Sequence, residues 1–259
     1  MPGARAIHLA AIGGSSECVQ MLLRHGVGLE TETTSHDTPL GIAAFYGRLD
    51  LIRDLLAAGA NREGSSDARY RPVHRAAMNN QVKALEVLAE AGANWKRDVG
   101  STTILHMAAD SNAPDVIRYL VKRGLDPDVR DKGGTVPLHD AAGARDVAGV
   151  KTLLEVGADP NATRKSDERS PLHVAAQRRF LAGIRLLVDA GAKVDAPDDN
   201  GVTPLILAAW DGHAPTVTLL LELGANPKHR AEKNVTALVA ARTKEHEEVV
   251  RILQKALRR

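Results

Sequence analysis

Cysteine and aromatic residues are scarce in this chain of 259 residues. The single cysteine, Cys18, excludes an internal disulfide framework and is typical of proteins in a reducing compartment. Only seven aromatic residues accompany a hydrophobic content of 44% that consists mostly of Ala, Leu and Val. That balance favours closely stacked helices over a β-sheet core, and it predicts an all-α protein.

Long apolar runs and an excess of one charge are also missing. The formal net charge is +2 with 25% charged residues, which indicates no global attraction to nucleic acid or to a membrane. No apolar run approaches the length of a membrane span, and the first residues lack the apolar segment of a secretory signal. We therefore expect a soluble intracellular protein, cytoplasmic or nuclear, without membrane insertion.

What the sequence does contain is a repeat of about 33 residues. Seven glycines each follow an apolar stretch, at steps of 33, 33, 32, 33, 34 and 33 residues: Gly26, Gly59, Gly92, Gly124, Gly157, Gly191 and Gly224. A second landmark, Thr38-Pro39-Leu40 and its counterparts, places repeat starts near residues 5, 38, 71, 103, 136, 170, 203 and 236. A period of this length predicts a solenoid whose units share one core, so we expect residues 1–259 to form a single domain.

Each repeat carries the signals of two helices and a turn. Thr38 suits a helix N-cap and Pro39 the first helical position, where a missing N–H costs nothing. The small pair Ala43-Ala44 lets a neighbouring helix approach closely. The second helix ends where Gly59 can adopt a left-handed conformation. Turn residues such as Asp199-Asn200-Gly201 then predict a hairpin-like finger between repeats.

This unit resembles the ankyrin repeat, whose signature is Thr-Pro-Leu-His-x-Ala-Ala. The signature stands here as Val136-Pro137-Leu138-His139-Asp140-Ala141-Ala142, Ser170-Pro171-Leu172-His173-Val174-Ala175-Ala176 and Thr203-Pro204-Leu205-Ile206-Leu207-Ala208-Ala209, with weaker copies elsewhere. Eight copies cover essentially the whole chain. The resemblance implies an all-α ankyrin repeat solenoid of helix-turn-helix units with β-hairpin-like fingers. It also implies that the signature histidine bonds to a finger backbone and that the chain binds other proteins.

The two ends of the repeat array differ. In the eighth repeat Leu257 occupies the glycine slot and Gln254 an inner apolar slot, so we interpret this repeat as a C-terminal cap. In the first repeat four apolar residues would face no earlier neighbour, Ile7, Leu9, Cys18 and Met21, and no finger precedes Arg5. We therefore predict that the first repeat opens before the middle repeats or is covered by something else.

No residue pattern indicates catalysis or a metal site. Five histidines share one signature slot, about 10 Å apart in successive repeats, which is too far to share a metal ion: His8, His74, His106, His139 and His173. Cys18 falls in an apolar slot of a second helix, which predicts a buried core thiol. No phosphate-binding loop or hydrolase motif is present. We predict neither an enzyme nor a cofactor, metal or small-molecule substrate.

Residues that the repeat does not dictate are the candidates for binding. Two positions after the paired alanines should face the concave side of the solenoid, and aromatic residues are concentrated there. With adjoining fingers, they supply the predicted partner-binding residues Phe45, Tyr46, Tyr70, Met78, Asn79, Lys132, Arg178, Trp210 and Asp211. Large amphipathic side chains at exposed positions are typical of binding hot spots. The alternative is that Phe45 and Trp210 merely cover neighbouring helices.

The fingers of repeats three to six also carry a row of basic residues: Arg62, Arg69, Arg71, Lys96, Arg97, Arg130, Lys132, Arg164, Lys165 and Arg169. Acidic residues interrupt the row, which fits a solvated mixed surface and makes nucleic acid a weak choice of partner. The sequence as a whole predicts a monomeric, non-catalytic scaffold or adaptor that holds a partner protein or peptide. The alternative is a targeting or substrate-recruitment module of a larger multidomain protein, either an enzyme or membrane-linked.

Overall fold

The computed structural model describes residues 6–65, 70–96, 100 and 102–258. The predicted repeat start at Arg5 and the basic residues Arg69 and Arg97 lie outside these ranges. Sixteen α-helices lie in the described part of the chain. The chain divides into two compact units, Met1–Arg123 and Gly124–Arg259, with eight helices each. The single domain spanning residues 1–259 stays a prediction.

Unit 1 consists of four helix pairs, one pair for each of the first four repeats. The first helices of the pairs are α1 (Ala6–Gly13), α3 (Pro39–Phe45), α5 (Pro72–Met78) and α7 (Ile104–Asp110). The second helices are α2 (Ser16–Arg24), α4 (Leu49–Ala57), α6 (Val82–Glu90) and α8 (Pro114–Lys122). Each first helix packs against its own second helix, and successive first helices pack against each other from α1 to α7.

Unit 2 repeats this arrangement with four more pairs. Its first helices are α9 (Pro137–Ala144), α11 (Pro171–Gln177), α13 (Pro204–Trp210) and α15 (Ala237–Thr243). Its second helices are α10 (Val147–Glu155), α12 (Leu181–Asp189), α14 (Ala214–Glu222) and α16 (Glu247–Leu257). Helix α16 runs on to Leu257, the residue that replaces the glycine at which earlier second helices have already ended. The prediction of an all-α repeat fold is confirmed.

The first helices begin where the sequence signals place them. The Thr38 hydroxyl accepts a hydrogen bond from the Gly41 N–H at 3.3 Å, and Thr236 caps α15 in the same way at 3.2 Å. Pro39 occupies the first turn of α3. Because each cap satisfies a backbone donor that the helix leaves open, short helices of seven or eight residues can begin at a defined residue.

The paired alanines lie at the contacts between successive first helices. Ala43 and Ala44 are completely buried, as are Ala208 and Ala209. Small side chains let the helix axes approach closely, and the second helices add fully buried leucines to the same core, Leu55 for example. Each unit thus shares one apolar interior among its repeats, as the spacing predicts.

The fingers are turns, and five of them are closed by a backbone hydrogen bond within the described residues. These bonds run from the N–H of Thr33 to the carbonyl of Asp37, from Asp131 to Thr135, from Arg164 to Arg169, from Asp198 to Val202 and from Ala231 to Val235. Neighbouring fingers also bond directly, since the Asp199 N–H donates to the Asp167 carbonyl at 3.1 Å. Within the described ranges the fingers contain no extended strand, so they are hairpin-like turns.

The signature histidines tie the helices to these fingers. The Nε2 atoms of His8, His139 and His173 lie 2.7, 2.8 and 3.0 Å from the carbonyl oxygens of Thr31, Arg169 and Val202 respectively. Burial lowers the pKa of His139 to about 4 and also lowers the pKa of His173. A neutral imidazole donates through Nε2 when Nδ1 is the acceptor. The backbone role implied by the family resemblance is confirmed for these three histidines.

The prediction that Cys18 is a buried core thiol is wrong, because Cys18 is exposed. The same slot holds Leu51, Ala84 and Val116 in α4, α6 and α8, and all three are buried. Each of those helices lies alongside the second helix of the preceding repeat. Helix α2 has no such helix beside it among the described residues, so the slot is covered only from repeat two onward.

Candidate functional site

The end of each first helix is where the repeats diverge most. We call the helix-end triplet the three residues that lie seven, eight and nine positions after the helix N-cap, such as 45–47 in repeat two. The last residue of each triplet has a positive φ, for example +63° at Gly47. The framework therefore constrains the backbone of the triplet and leaves its side chains free. In repeat eight the N-cap is Thr236, so the triplet is 243–245.

In unit 1 the triplet of repeat two forms one wall of an open groove of about 330 Å³. We call it the Phe45 groove, and it is lined by Thr33, Thr34, Ser35, Asp37, Gly41, Ile42, Phe45, Tyr46 and Arg75. The Phe45 and Tyr46 rings meet edge to face with centroids 5.2 Å apart. Phe45 is half-buried and Tyr46 is 37% exposed. The groove thus combines an aromatic wall with a facing row of finger hydroxyls.

The floor of the Phe45 groove is held by an ion pair. The Arg75 guanidinium donates two hydrogen bonds to the Asp37 carboxylate at 2.6 and 2.7 Å, and both side chains are less than one-fifth exposed. Arg75 also lies over the Tyr70 ring, 5.1 Å from its centroid. A bidentate pair of this kind has a defined geometry and little net charge to offer a ligand. The Phe45 groove therefore carries little net charge.

Two of the remaining predicted residues of unit 1, Asn79 and Tyr70, contact side chains or backbone of residues that line this groove. Asn79 Nδ2 donates to the Phe45 carbonyl at 2.7 Å, so the Asn79 amide holds the end of α3 in place. Met78 is half-buried at the end of α5 and does not line the groove. The structure accordingly brings Phe45 and Tyr46 to the surface of the groove and gives Asn79 and Tyr70 supporting contacts.

Unit 2 has a groove at the equivalent place, between α13 and its fingers, with a volume of about 350 Å³. We call it the Trp210 groove, and it is lined by Arg169, Asn200, Val202, Ile206, Leu207, Trp210, Ala231, Glu232, Lys233 and Val235. Trp210 is 44% exposed, and the Lys244 ammonium lies 4.5 Å from its ring centroid. His246 Nε2 contacts the Trp210 carbonyl at 3.0 Å. The backbone of Trp210 is thus held by a hydrogen bond, and its ring is partly exposed to solvent.

The other predicted residues of unit 2 do not line the Trp210 groove. Arg178 is exposed at the C-cap of α11. Asp211 is half-buried at the C-cap of α13, and its carbonyl accepts from Arg179 Nη2 at 3.5 Å. Lys132 is exposed in a finger turn and does not line the Trp210 groove.

Sequence reasoning missed the basic residues that accompany Trp210. Arg145 and Arg179 occupy the last position of their triplets, and Lys244 the middle one. The signal that could have found them is the charge of the residues at equivalent triplet positions, which differs between successive repeats. The finger residues of both grooves carry no such signal, because they are separated from the triplet in sequence and lie beside it only in the folded structure.

The side-chain groups at the two grooves are suited to binding another molecule. Among the described residues no group of three or more His, Cys, Asp or Glu side chains is placed to hold a metal ion. In the same part of the chain no helix has the length and apolar character needed to cross a membrane. The grooves offer aromatic faces, hydroxyls and guanidinium groups, which bind by contact and hydrogen bonding.

Helix pairs of this length, joined by finger turns and carrying capped first helices with paired alanines, define an all-α helical repeat protein. The family model described as ankyrin repeats (three copies) matches residues 2–65, 61–131 and 138–231. The chain belongs to the ankyrin repeat family. It is similar to the crystal structure of the human ASB11 ankyrin repeat domain, with 26% identity, a TM-score of 0.73, and coverage of 86% of this chain and 100% of that one. No curated protein matches the chain.

Proposed function

We propose that this chain is a non-catalytic scaffold or adaptor that binds a partner protein or peptide through the Phe45 groove and the Trp210 groove. Ankyrin repeats are generally protein-protein interaction modules. The observation that carries the proposal is the placement of large aromatic side chains, partly exposed, beside an open groove at the same repeat position in both units.

The physical support comes from what the framework does not require. Trp210 is nearly half exposed although burying an indole fully would stabilise the fold, and its position is filled by Gly143 in repeat five. An exposed aromatic ring on a backbone held by neighbouring side chains loses little conformational entropy on binding. Such rings are the residues that dominate protein interfaces.

The test is capture of partners with one triple variant and a matched control. The triple variant F45A/Y46A/W210A should keep its helical circular dichroism spectrum and lose the partners retained by the wild-type chain in affinity capture. Val147→Ala is the control, because Val147 is 48% exposed but lines neither groove. If the triple variant retained the same partners as wild type, the two grooves would not be the binding site.

A second function is supported by a different observation. Leu9 and Met21, which are 59% and 55% exposed, and the exposed Cys18 leave apolar surface on the first repeat, whereas Ile7 is buried, contrary to the expectation from the sequence. A targeting or substrate-recruitment module within a larger enzyme or membrane-linked protein would cover that surface with a neighbouring segment. A native reading frame that begins at Met1 and ends at Arg259 would argue strongly against this alternative.

We further propose that the chain acts inside the cell as a monomer. The single cysteine supports the intracellular part of this proposal, because it is typical of reducing compartments. Light scattering after size exclusion should give a mass close to 27.6 kDa. A mass near twice that value would contradict the monomer.

A further inference from the structure

The helix-end triplets of the two units differ in charge. In unit 1 the triplets contain no lysine or arginine: Ile12-Gly13-Gly14, Phe45-Tyr46-Gly47, Met78-Asn79-Asn80 and Asp110-Ser111-Asn112. In unit 2 they contain four basic residues and two acidic ones: Gly143-Ala144-Arg145, Gln177-Arg178-Arg179, Trp210-Asp211-Gly212 and Thr243-Lys244-Glu245. The four basic residues belong to repeats five, six and eight, so they flank Trp210 in repeat seven.

Two of these arginines stand where arginine is unfavourable for the backbone. Arg145 and Arg179 have φ values of +59° and +58°, in the left-handed region that glycine and asparagine adopt most readily. Unit 1 uses only glycine or asparagine at this position. An arginine there costs conformational free energy, so the fold itself gives no reason for it. Residues that break a local rule without a structural gain are expected at functional positions.

Within the described ranges, none of these four cations forms an ion pair. Arg145, Arg178, Arg179 and Lys244 are all exposed, and the ion pairs of unit 2 involve other residues. Arg179 reaches only a backbone carbonyl, that of Asp211. Nearby, desolvation and then the positive charges of Arg179 and Arg145 lower the pKa of His213. Arg179 and Arg145 therefore place positive charge beside His213 on this side of unit 2.

A helix C-terminus attracts cations, and this explains part of the pattern. Arg178 and Lys244 are the C-caps of α11 and α15, where a positive charge interacts favourably with the helix dipole. The equivalent caps in unit 1 are Tyr46, Asn79 and Ser111. Since the helices of unit 1 form without cationic caps, the helix dipole does not require the basic residues of unit 2.

We propose that unit 2 binds an acidic, extended peptide segment whose one bulky apolar side chain enters the Trp210 groove while its carboxylates contact Arg178, Arg179 and Lys244. This inference rests on the proposed function and names the partner class for one of its two grooves. The apolar lining of the groove, which includes Val202, Ile206 and Leu207, suits a side chain that has no charge.

The distance between repeats determines how many residues separate the contacting side chains of the peptide. Packed helices lie about 10 Å apart, and an extended peptide advances about 3.3 Å per residue. Every third residue of the peptide therefore faces a new repeat. A segment with acidic residues three positions before and three positions after its apolar residue would place them against repeats six and eight.

A nucleic acid fits the same surface less well. A single strand binds through successive aromatic platforms along a basic groove, and the triplets of unit 2 offer only Trp210. Asp211 and Glu245 interrupt the basic residues at the places where a phosphate backbone would continue. Among the macromolecules that carry negative charge, an acidic peptide is the one that these contacts favour.

The first experiment selects ten-residue random peptides displayed on phage against the wild-type chain and against the W210A variant. Peptides that bind wild type and lose binding to W210A should be enriched in Asp and Glu three residues from a Leu, Ile, Phe or Trp. Trp210-dependent peptides without that enrichment would overturn the acidic partner and leave the proposed function standing. Recovery of no Trp210-dependent peptide would count against both.

The second experiment measures the charge dependence with defined probes by fluorescence anisotropy. The probes are ten-residue Ser-Gly peptides with Glu at positions 1, 4 and 10 and Leu at 7, and the same design read backwards. We expect R178E/R179E to weaken binding about tenfold or more, with a similar loss when Gln replaces Glu in the peptide. The charge-matched control K151E/R185E alters exposed cations on the second helices, and we expect less than about twofold loss for it.

Two results of this second experiment would overturn the inference. One is equal binding of the Glu and Gln peptides to the wild-type chain. The other is tighter binding of a ten-nucleotide single-stranded DNA than of either peptide, with the same sensitivity to R178E/R179E, because the cations would then serve a phosphate backbone.

Discussion

Units 1 and 2 use the same framework and present different surfaces. In both units a seven- or eight-residue helix ends in a turn with a left-handed residue, and a finger faces the end of that helix. Unit 1 places the neutral pair Phe45 and Tyr46 beside an internally paired Arg75. Unit 2 places Trp210 among exposed basic residues.

This difference shows which residues carry the fold and which are open to selection for binding. The buried alanines, cap hydroxyls and signature histidines recur in both units because each satisfies a packing or hydrogen-bonding need. The first residue of the triplet meets no such need, since Gly143, Gln177 and Trp210 occupy this position in successive repeats. Four predictions follow the comparison from the largest expected effect to the smallest.

Acid should destabilise unit 2 through its buried histidines. The folded-state pKa of His139, about 4, lies below the ordinary value of 6.5, so protonation favours the unfolded chain. The stabilising effect of the neutral imidazole is complete above pH 6.5 and is lost as the pH falls from 6.5 towards 4. We expect His139 to account for about 2 kcal/mol of lost stability between pH 7 and pH 5. Urea unfolding at both pH values, followed by circular dichroism, measures the loss.

The control for this prediction is His139→Gln, which cannot take up the proton. The variant should be less stable than wild type at pH 7 and should show a smaller decrease in unfolding free energy at pH 5. An equal decrease in wild type and variant would show that His139 does not cause the acid sensitivity.

Val136→Thr should stabilise unit 2 by making it more like unit 1. In unit 1 the Thr103 hydroxyl lies 2.8 Å from His106 Nδ1, whereas the N-cap beside the buried His139 Nδ1 is Val136, which has no hydroxyl. Threonine has nearly the shape of valine and adds a hydroxyl at the N-cap. We expect a gain of about 1 kcal/mol in the urea unfolding of V136T.

The matching change in unit 1 is Thr103→Val, which removes the bond that V136T creates. It should lower the unfolding free energy by a similar amount. A V136T variant less stable than wild type would mean that the new hydroxyl remains unsatisfied and that the two caps are not equivalent.

Arg179→Gly should raise stability and weaken binding at the same time. Glycine relieves the left-handed strain at φ +58° but gains more freedom in the unfolded chain, so the net stabilisation is about 0.5 kcal/mol. The same variant should bind the acidic probe peptides more weakly. The reverse change in unit 1, Gly47→Arg, should destabilise the fold. Loss of both stability and binding in R179G would indicate that Arg179 serves the fold.

The smallest effect is local opening of the first repeat. Leu9, Met21 and Cys18 are exposed, and among the described residues helices α1 and α2 pack against a neighbouring repeat on one side only. Amide hydrogen exchange should be faster in α2 than in α4, although both helices belong to unit 1. Equal or slower exchange in α2 would contradict the prediction.

Most of the fold follows from local signals in the sequence. The N-cap at Thr38, the buried pair Ala43-Ala44 and the stop at Gly59 each depend on residues only a few positions away. The burial of Cys18 was predicted wrongly because it depends on which helix lies beside α2, and this is a long-range property. Asn79 was predicted to bind a partner, and the fold shows its amide bonded to the Phe45 carbonyl, 34 residues away in sequence.

The sequence by itself determined the repeat period, the helix pairs and the ankyrin family, because caps, glycines and apolar spacing act within one repeat. Only the tertiary structure decided which side chains bond within the chain and which are exposed to a partner. It pairs Arg75 with Asp37, 38 residues away, and leaves Arg178 and Lys244 exposed beside Trp210. The physical reason is that pairing and burial depend on contacts between repeats, which the composition of a single repeat does not specify.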